Sequence, residues 1–301
     1  MPAIKTYNSE GFRNEYFNAS PELERLFQKS VEDFFCLRIE DISERVLKPI
    51  RPSREESHTL LFITESAYKT KIGFQEYSIT PNQIVILQAG AVFSTPEIST
   101  SVKGFACHFH PDVLIGKFGN GALISEFEFL NVGTHPIIEV TPASKLAIQN
   151  NFERLCQEFK SDGTPNAMIV HSYLYTLLAE MKILFGDGDT TGQNASFQIT
   201  TQFKKLAHQQ VKQQLSIADF AKQMNISPNH LNKSVKHITS KPASVIYDEI
   251  KLIEIKFLLY QTDLSISQIA YEMGFLDPSY FTRFFKKLTN TTPSEFRELI
   301  E

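Results

Sequence analysis

The stretch that most constrains this fold is residues 264–297, because the chain contains it twice. Apolar residues recur there at helical spacing, stop at a glycine, and resume in a second helical run. The first run has a copy 49 residues upstream, and after one inserted residue the second run matches at an offset of 50. The matched residues are Leu264, Ile266, Ala270 and Met273 with Leu215, Ile217, Ala221 and Met224, and then Pro278, Phe281, Arg283 and Lys286 with Pro228, Leu231, Lys233 and Lys236. Short helices joined by a tight turn, in two copies, predict two helix-turn-helix units.

The second helix of each copy carries polar and basic side chains opposite its apolar residues. Such a face suits the DNA major groove. Asn can pair with adenine, and Arg with guanine, through two hydrogen bonds, whereas Lys fits phosphate. We therefore expect DNA contacts from Asn229, Asn232, Lys233, Lys236, Ser279, Tyr280, Arg283, Lys286 and Lys287. Asn232 and Arg283 are the first candidates for base contacts, and for each single residue a contact with phosphate alone is the alternative.

Between the two copies, apolar residues at helical spacing predict a linker helix from Pro242 to Thr262. A helix of ~20 residues is about 30 Å long, close to the ~34 Å of one turn of DNA. A rigid spacer of that length would place the two recognition helices in successive major grooves on one face of the duplex.

Three blocks of the second copy run from Ile269 to Phe275, from Tyr280 to Lys287 and from Thr292 to Arg297. In these blocks the chain resembles the AraC/XylS family of bacterial transcription regulators. The resemblance implies a cytoplasmic regulator that binds double-stranded promoter DNA and usually activates transcription through RNA polymerase. It also implies that two groups of residues read bases, with Pro278 replacing a polar residue that is common in the family. These positions are Asn229, Asn232 and Lys233, and Pro278, Ser279, Tyr280 and Arg283.

Charge is distributed unevenly along the chain. The net charge of −4 does not by itself indicate DNA, but residues 201–301 hold 13 Lys and Arg against 10 Asp and Glu, and residues 1–200 hold 17 against 24. The basic residues therefore gather where the repeat lies. Three scattered cysteines favour a reduced cytoplasmic protein and argue against a DNA-repair methyl acceptor, which needs a reactive cysteine cluster. No apolar run approaches the ~20 residues that span a bilayer, so we expect no membrane partner.

The N-terminal part has a different pattern. Residues 57–140 contain short segments rich in Ile, Val, Phe and Thr between turn residues, which predict strands and a small barrel. The family resemblance implies that this barrel is a cupin-like effector-binding domain. Helices are expected at 142–160 and 165–185, and the glycine-containing stretch 187–195 predicts a linker. The chain is thus expected to be α+β, with a sensing and dimerisation domain at 1–186 and an all-α DNA-binding domain at 196–301.

The helix expected at 165–185 has an apolar stripe wide enough to be buried on two sides or against another subunit. The family resemblance favours a homodimer held by the two helices of this region, and packing within one monomer is the alternative. We expect Leu177 to point outward into that contact. A further short helix is expected at residues 21–27.

His108 and His110 alternate along a predicted strand and, with His58 and Tyr77, are the candidates for a pocket that binds an unknown small-molecule effector. A cupin metal site needs a fuller set of His and Glu ligands, so neither a metal nor a cofactor is expected. No cysteine stands beside a candidate base, so no catalytic residue is assigned. The sequence favours a transcription regulator without enzymatic activity, and the alternative is a metal-dependent cupin enzyme fused to a DNA-binding module.

Overall fold

The computed structural model describes residues 4–18, 34–73, 75–114, 127–131, 134–160, 165–186, 195–239 and 241–300, without the side chain of residue 300. These residues form two units, an N-terminal unit of residues 4–114 and 127–186 and a C-terminal unit of residues 195–300. The helix expected at 21–27 lies outside the described residues, as does all of the expected linker except Ala195.

Within the described residues, the N-terminal unit forms two five-stranded sheets. The first has the order β1-β3-β8-β5-β6 and the second the order β10-β7-β4-β9-β2. Strands β1 and β3 pair in parallel, and the other pairs are antiparallel. The strands are β1 Lys5–Tyr7, β2 Phe35–Arg38, β3 Ile50–Glu55, β4 His58–Glu65, β5 Tyr68–Ile72, β6 Gln75–Ile79, β7 Gln83–Leu87, β8 Val92–Thr95, β9 Lys103–Phe109 and β10 Ile137–Glu139.

Strand β4 contributes apolar side chains to both faces of the second sheet, because successive side chains of a strand point to opposite faces. Ile63 joins an apolar core that also contains Phe93 of the first sheet. Its neighbour Phe62 stacks on Phe152 of helix α3 (Lys145–Lys160), with ring centroids 5.7 Å apart. The second sheet is therefore buried between the first sheet and a helix.

The mixed α+β fold is confirmed, but the closed cupin-like barrel is not. Strands β1, β6, β2 and β10 stand at sheet edges, and no ladder of hydrogen bonds joins the two sheets within the described residues. Apolar alternation predicts which side chains face a core. It does not distinguish a closed barrel from two stacked sheets, because both bury every second residue.

The remaining helices of the N-terminal unit are α1 (Ser9–Tyr16), α2 (Ile39–Ser43) and α4 (Ala167–Phe185), so α3 and α4 occupy the positions expected for the two helices. The expectation that Leu177 points outward is wrong, because this side chain is fully buried, whereas Ile183 is 76% exposed. Since α4 is apolar on most of its surface, periodicity could not orient it. By length and composition alone this helix could cross a membrane, which is weak evidence for a helix whose residues also form a core.

The C-terminal unit is entirely helical within the described residues. Its aromatic core includes Phe220, whose ring lies edge-on to Phe203 and Tyr247 with centroids 5.3 and 4.9 Å away. One continuous apolar core contains residues from both copies of the sequence repeat. The helices are α5 Ala195–Gln209, α6 Ile217–Gln223, α7 Pro228–Thr239, α8 Ala243–Gln261, α9 Ile266–Glu272, α10 Pro278–Thr289 and α11 Pro293–Ile300.

Candidate nucleic-acid interface

The first helix-turn-helix unit consists of α6 and α7. Helix α6 begins at a capping box in which Ser216 and Asp219 exchange hydrogen bonds between side chain and backbone. After it, Asn225 adopts a positive φ of 55°, and the next backbone N–H, that of Ile226, donates to the carbonyl of Ala221 at 3.0 Å. These bonds satisfy both ends of a helix that is only seven residues long and turn the chain into α7.

The second unit, α9 and α10, repeats these devices with other residues. Ser265 and Gln268 form the capping box, and Gly274 has a φ of 75°. Asp277 is the N-cap of helix α10, and its Oδ1 accepts a hydrogen bond from the backbone N–H of Ser279 at 2.8 Å. That hydrogen bond is the leading cause of the lowered pKa of the Asp277 carboxyl, so the cap is charged at neutral pH. A charged cap also suits the positive end of the helix dipole.

A short segment after α5 holds the turn of the second unit. The side-chain amide of Gln214 donates to the carbonyl of Met273 at 2.8 Å, and Lys212 pairs with Glu272 at 2.6 Å. A Cβ atom on Gly274 would lie 2.4 Å from the backbone oxygen of Lys212. Glycine is therefore required at position 274 for two reasons, the positive φ and the close approach of the Lys212 backbone oxygen.

Helix α8 links the two units and spans 19 residues, which gives a length of about 28 Å. The helix begins at Ala243, whose backbone N–H donates to Oδ1 of Asn232 at 3.0 Å. Asn232 therefore joins the first recognition helix α7 to the start of the linker helix. No sequence pattern indicates this bond, because it depends on where α8 begins in space.

All but one of the nine candidate DNA contacts are exposed on the two recognition helices. On α7 they are Asn229, Lys233 and Lys236, and on α10 they are Ser279, Tyr280, Arg283, Lys286 and Lys287. Asn232 is the exception. Its side chain is half-buried, and the oxygen that would accept from adenine already accepts from the backbone of α8. Asn229, one turn earlier on the exposed face, has the same chemistry.

The basic side chains of these two surfaces carry no internal ion pair. Within the described residues, no ion pair with a carboxylate is found for Lys233, Lys236, Arg283, Lys286 or Lys287. By contrast, Lys212, Lys241 and Lys251 of the same unit are each paired with an acidic residue. The charge of the side chains on the two recognition helices is thus available to phosphate oxygens outside the protein.

Two exposed residues at this surface were not selected from the sequence. His230 lies on α7 at the position that the offset of 50 pairs with Tyr280, so a full use of the repeat would have found it. Leu276 precedes the cap of α10 and is 97% exposed. The turn of the second unit is one residue longer than the turn of the first, and Leu276 is the additional residue. Because the first copy has no residue at this position, the repeat does not indicate the role of Leu276.

The four pocket candidates of the N-terminal unit have different bonding partners. His108 is buried, and its ring nitrogens hydrogen-bond with Ser9 Oγ at 2.9 Å and Thr59 Oγ1 at 2.8 Å. Burial, and secondly the nearby His110, lowers the pKa of His108 to about 3, so its ring is neutral at physiological pH. His58 lies on the opposite face of the second sheet, where its Nδ1 accepts from the backbone of Ala89 at 3.0 Å.

The other two candidates are His110 and Tyr77. His110 follows β9, with its Nδ1 3.6 Å from Asp112 Oδ2, and the ring of Tyr77 stands edge-on to His135. No group of three His, Cys, Asp or Glu side chains in the described part of the chain is arranged to hold a metal ion. Glu55 is also buried, and burial raises the pKa of its carboxyl to about 8. This residue was not selected from the sequence, because no sequence pattern marks a single carboxylate in a strand as buried.

Residues 220–299 match the family described as "Helix-turn-helix domain". The chain is 29% identical over 137 residues to the Msm operon regulatory protein of Streptococcus mutans, a match that covers 45% of this chain and 49% of that protein. It is 33% identical over 87 residues to the HTH-type transcriptional regulator GlxA of Rhizobium meliloti, covering 29% and 27%. These matches thus span about half or less of the relatives' own length.

Among solved structures, the chain is similar to a transcriptional regulator from Chromobacterium violaceum that is described as one of the proteins containing an AraC-type DNA-binding domain. The identity is 30%, over 35% of this chain and 95% of that one. The TM-score is 0.32, which is too low to carry an argument about the fold.

Proposed function

The C-terminal segment is an AraC-type helix-turn-helix domain, and from this premise we propose that the protein is a sequence-specific transcription regulator that binds double-stranded promoter DNA. The family resemblance carried by the three blocks of the second unit is thereby confirmed. The observation that carries the proposal is the pair of recognition helices with unpaired cations on their exposed faces. Such faces bind phosphate and present Asn and Arg to base edges.

Within this proposal each helix-turn-helix unit contributes one side chain that reads a base and one that binds phosphate. Arg283 reads guanine from α10, and Asn229 reads adenine from α7, because each side chain is exposed and keeps both of its bonding groups free in the described structure. Lys236 and Lys287 hold phosphates. Helix α8, at about 28 Å, spaces the two recognition helices for successive major grooves.

A DNA-binding titration of the full chain tests the proposal. Fluorescence anisotropy on duplex DNA should give a log K that falls linearly with log salt, by about 0.9 per neutralised phosphate. The double variant Lys236→Ala with Lys287→Ala should make this slope shallower by the amount expected for the loss of about two phosphate contacts. Lys71→Ala, which removes an exposed lysine of strand β5, is the matched control. A folded chain without salt-dependent binding would contradict the proposal.

The N-terminal unit is proposed as the sensing part, with a cupin-like arrangement of its two sheets, and His108 is its best-placed effector residue. Glu55, Ser57, Thr59 and His108 are polar side chains buried in this unit. Ser9 Oγ bonds both Ser57 and the His108 ring, and Thr59 bonds the same ring, so this part of the unit holds a group of buried hydrogen-bonding side chains suited to the polar groups of an effector. A thermal-shift screen of small metabolites should therefore raise the melting temperature of the wild-type chain, and His108→Ala should abolish the shift. A ligand that stabilises both forms equally would place the effector elsewhere.

We further propose a cytoplasmic homodimer held by α3 and α4 that contacts RNA polymerase as an activator. Leu146 on α3 and Met168 and Ile183 on α4 are large apolar side chains that are more than half exposed. Ile183→Glu should convert a dimer into a folded monomer in sedimentation experiments. Ser78→Glu, on the exposed edge strand β6, adds the same charge elsewhere and should leave the dimer intact. A wild-type monomer at micromolar concentration would refute the dimer.

The alternative function is a metal-dependent enzyme in the N-terminal unit. It would use imidazole and carboxylate ligands, for which the sequence offers His108 and His110, with His58 and Glu65 as additional ligands. Metal analysis of the purified chain decides between the two, because a stoichiometric bound metal would favour the enzyme.

A further inference from the structure

All three cysteines of the chain converge in the N-terminal unit, although they are far apart in the sequence. Cys36 of β2 and Cys107 of β9 lie directly opposite each other in antiparallel register. Cys156 of α3 lies over this pair, with its Sγ 3.3 Å from the Sγ of Cys36. The cysteines that look scattered in the sequence therefore form one cluster centred on Cys36.

Two ion pairs join the segment that follows Cys36 to the helix that carries Cys156. Arg38 of β2 pairs with Glu153 of α3 at 2.6 Å, and Asp41 of α2 pairs with Lys160 of α3 at 2.6 Å. A disulfide requires an S–S distance of about 2.05 Å, so the two sulfurs need to approach by only ~1.2 Å. Rotation of the two side chains can supply most of that approach while the ion pairs keep the backbones in place.

The three thiols differ in their access to solvent. Cys156 retains 5% exposure, whereas Cys36 and Cys107 are at 0%. An oxidant that reaches the cluster therefore meets Cys156 first. Burial, and secondly the neighbouring thiols, raises the pKa of the Cys36 thiol well above its usual range, so Cys36 stays protonated and unreactive until a partner sulfur has been activated beside it.

We propose that Cys36 and Cys156 form a reversible thiol–disulfide site that reacts with hydrogen peroxide. The sulfur of Cys156 attacks one peroxide oxygen, the O–O bond breaks, and water leaves with the thiol proton, so that Cys156 becomes a sulfenic acid. The sulfur of Cys36 then attacks the sulfur of Cys156, the S–O bond breaks, and the Cys36 proton leaves in a second water molecule. Two thiols are oxidised to one disulfide, and one peroxide is reduced to two molecules of water.

The product would lock the edge strand β2 to α3 across 120 residues of sequence. A cross-link that closes so long a loop restricts the unfolded chain strongly, so the oxidised protein should melt at a higher temperature than the reduced one. Within the described residues, the sulfur of Cys156 contacts that of Cys36 and not that of Cys107, so Cys107, which neighbours Cys36 across the strand pair, remains a thiol. The proposal stands independently of DNA binding.

Peptide mapping of the full chain tests this site. The reduced protein is treated with hydrogen peroxide, unfolded in denaturant that contains excess alkylating agent so that the remaining thiols are blocked at once, and digested without reductant. Free thiols should fall from three to one, with Cys36 and Cys156 in one cross-linked peptide that dithiothreitol releases. The oxidised chain should show a melting temperature several degrees higher, an increase that reductant reverses.

Two alanine variants provide the comparison. Cys107→Ala should still form the cross-link, and Cys156→Ala should lose both the cross-link and the gain in melting temperature. Three alkylated thiols after treatment, a Cys36–Cys107 link, irreversible overoxidation or bonds only between chains would each overturn the proposal. Because the wild-type peptide map is decisive, the test does not depend on either variant folding.

Discussion

The two helix-turn-helix units share one frame although few of their residues are identical. Each first helix begins at a serine capping box, each turn contains one residue at positive φ, and each second helix begins with proline and ends with a threonine whose hydroxyl lies within hydrogen-bonding distance of two backbone carbonyls. The corresponding residues are Ser216 and Ser265, Asn225 and Gly274, Pro228 and Pro278, and Thr239 and Thr289. The frame is thus specified by backbone hydrogen bonding, which leaves the exposed faces free to diverge.

The units differ at the surfaces that would meet DNA. On α7, the side chain of Asn232 bonds the start of α8, so the exposed candidates for base contacts are Asn229 and Lys233. On α10, Arg283 and Tyr280 are exposed, and the turn before the helix carries the additional Leu276. The two copies therefore share the same scaffold. They differ in the exposed side chains that are candidates for base contacts and in the hydrogen bond by which α7 holds the start of α8.

The largest expected effect comes from the turn residues. Gly274→Ala should lower the free energy of unfolding by about 3 kcal/mol, because it adds strain at positive φ and a contact with the Lys212 carbonyl. Asn225→Ala, at the matching position, adds no new atom and should cost only about 1 kcal/mol. Thermal unfolding followed by circular dichroism measures both variants. Equal losses would mean that the close approach at Gly274 contributes nothing.

The second prediction separates base reading from phosphate binding on α10. Arg283→Ala should cost about 1–3 kcal/mol of binding free energy on the preferred site and relax specificity at one or two base pairs. Lys287→Ala, one turn later, should weaken all sequences about equally. Binding profiles on a randomised duplex library measure both. If Arg283→Ala leaves the preferred sequence unchanged, Arg283 binds phosphate and sequence reading rests on the first unit.

The third prediction concerns the two asparagines of α7. Asn232→Ala should lower the free energy of unfolding by about 1 kcal/mol, because it leaves the Ala243 N–H without its acceptor. Asn229→Ala should leave the melting temperature unchanged and weaken DNA binding at one adenine. Parallel unfolding and library-binding experiments distinguish them. The assignment fails if Asn232→Ala alters the preferred base without altering stability.

The smallest expected effect belongs to Leu276. An exposed leucine before α10 is placed to contact a thymine methyl group, worth about 0.8 kcal/mol if the contact is fully buried. Replacing thymines by deoxyuridine, one at a time, should weaken wild-type binding at a single position. The same replacement should have no effect on Leu276→Ala. Equal sensitivity of both proteins would exclude the contact, and a protein partner would then be the better explanation of this side chain.

The repeat made much of the C-terminal unit predictable, because apolar spacing and capping residues are local signals. The linker helix and the exposed faces of α7 and α10 follow from periodicity alone. The Asn232 bond, the buried Leu177 and the cysteine cluster do not, since each depends on which element packs nearby. Strands β4 to β9 fall within the segment expected to contain strands, but no local pattern distinguishes two sheets from a closed barrel.

The central claim is that both recognition helices of one chain read the same DNA face at a spacing set by α8. Selection of binding sites by the full chain from a randomised duplex library tests it most directly. We predict two enriched sequence blocks whose centres lie about one helical turn, ~10.5 base pairs, apart. Inserting half a turn between the blocks should then abolish the preference for the joint site. A single enriched block, or none, would contradict the claim.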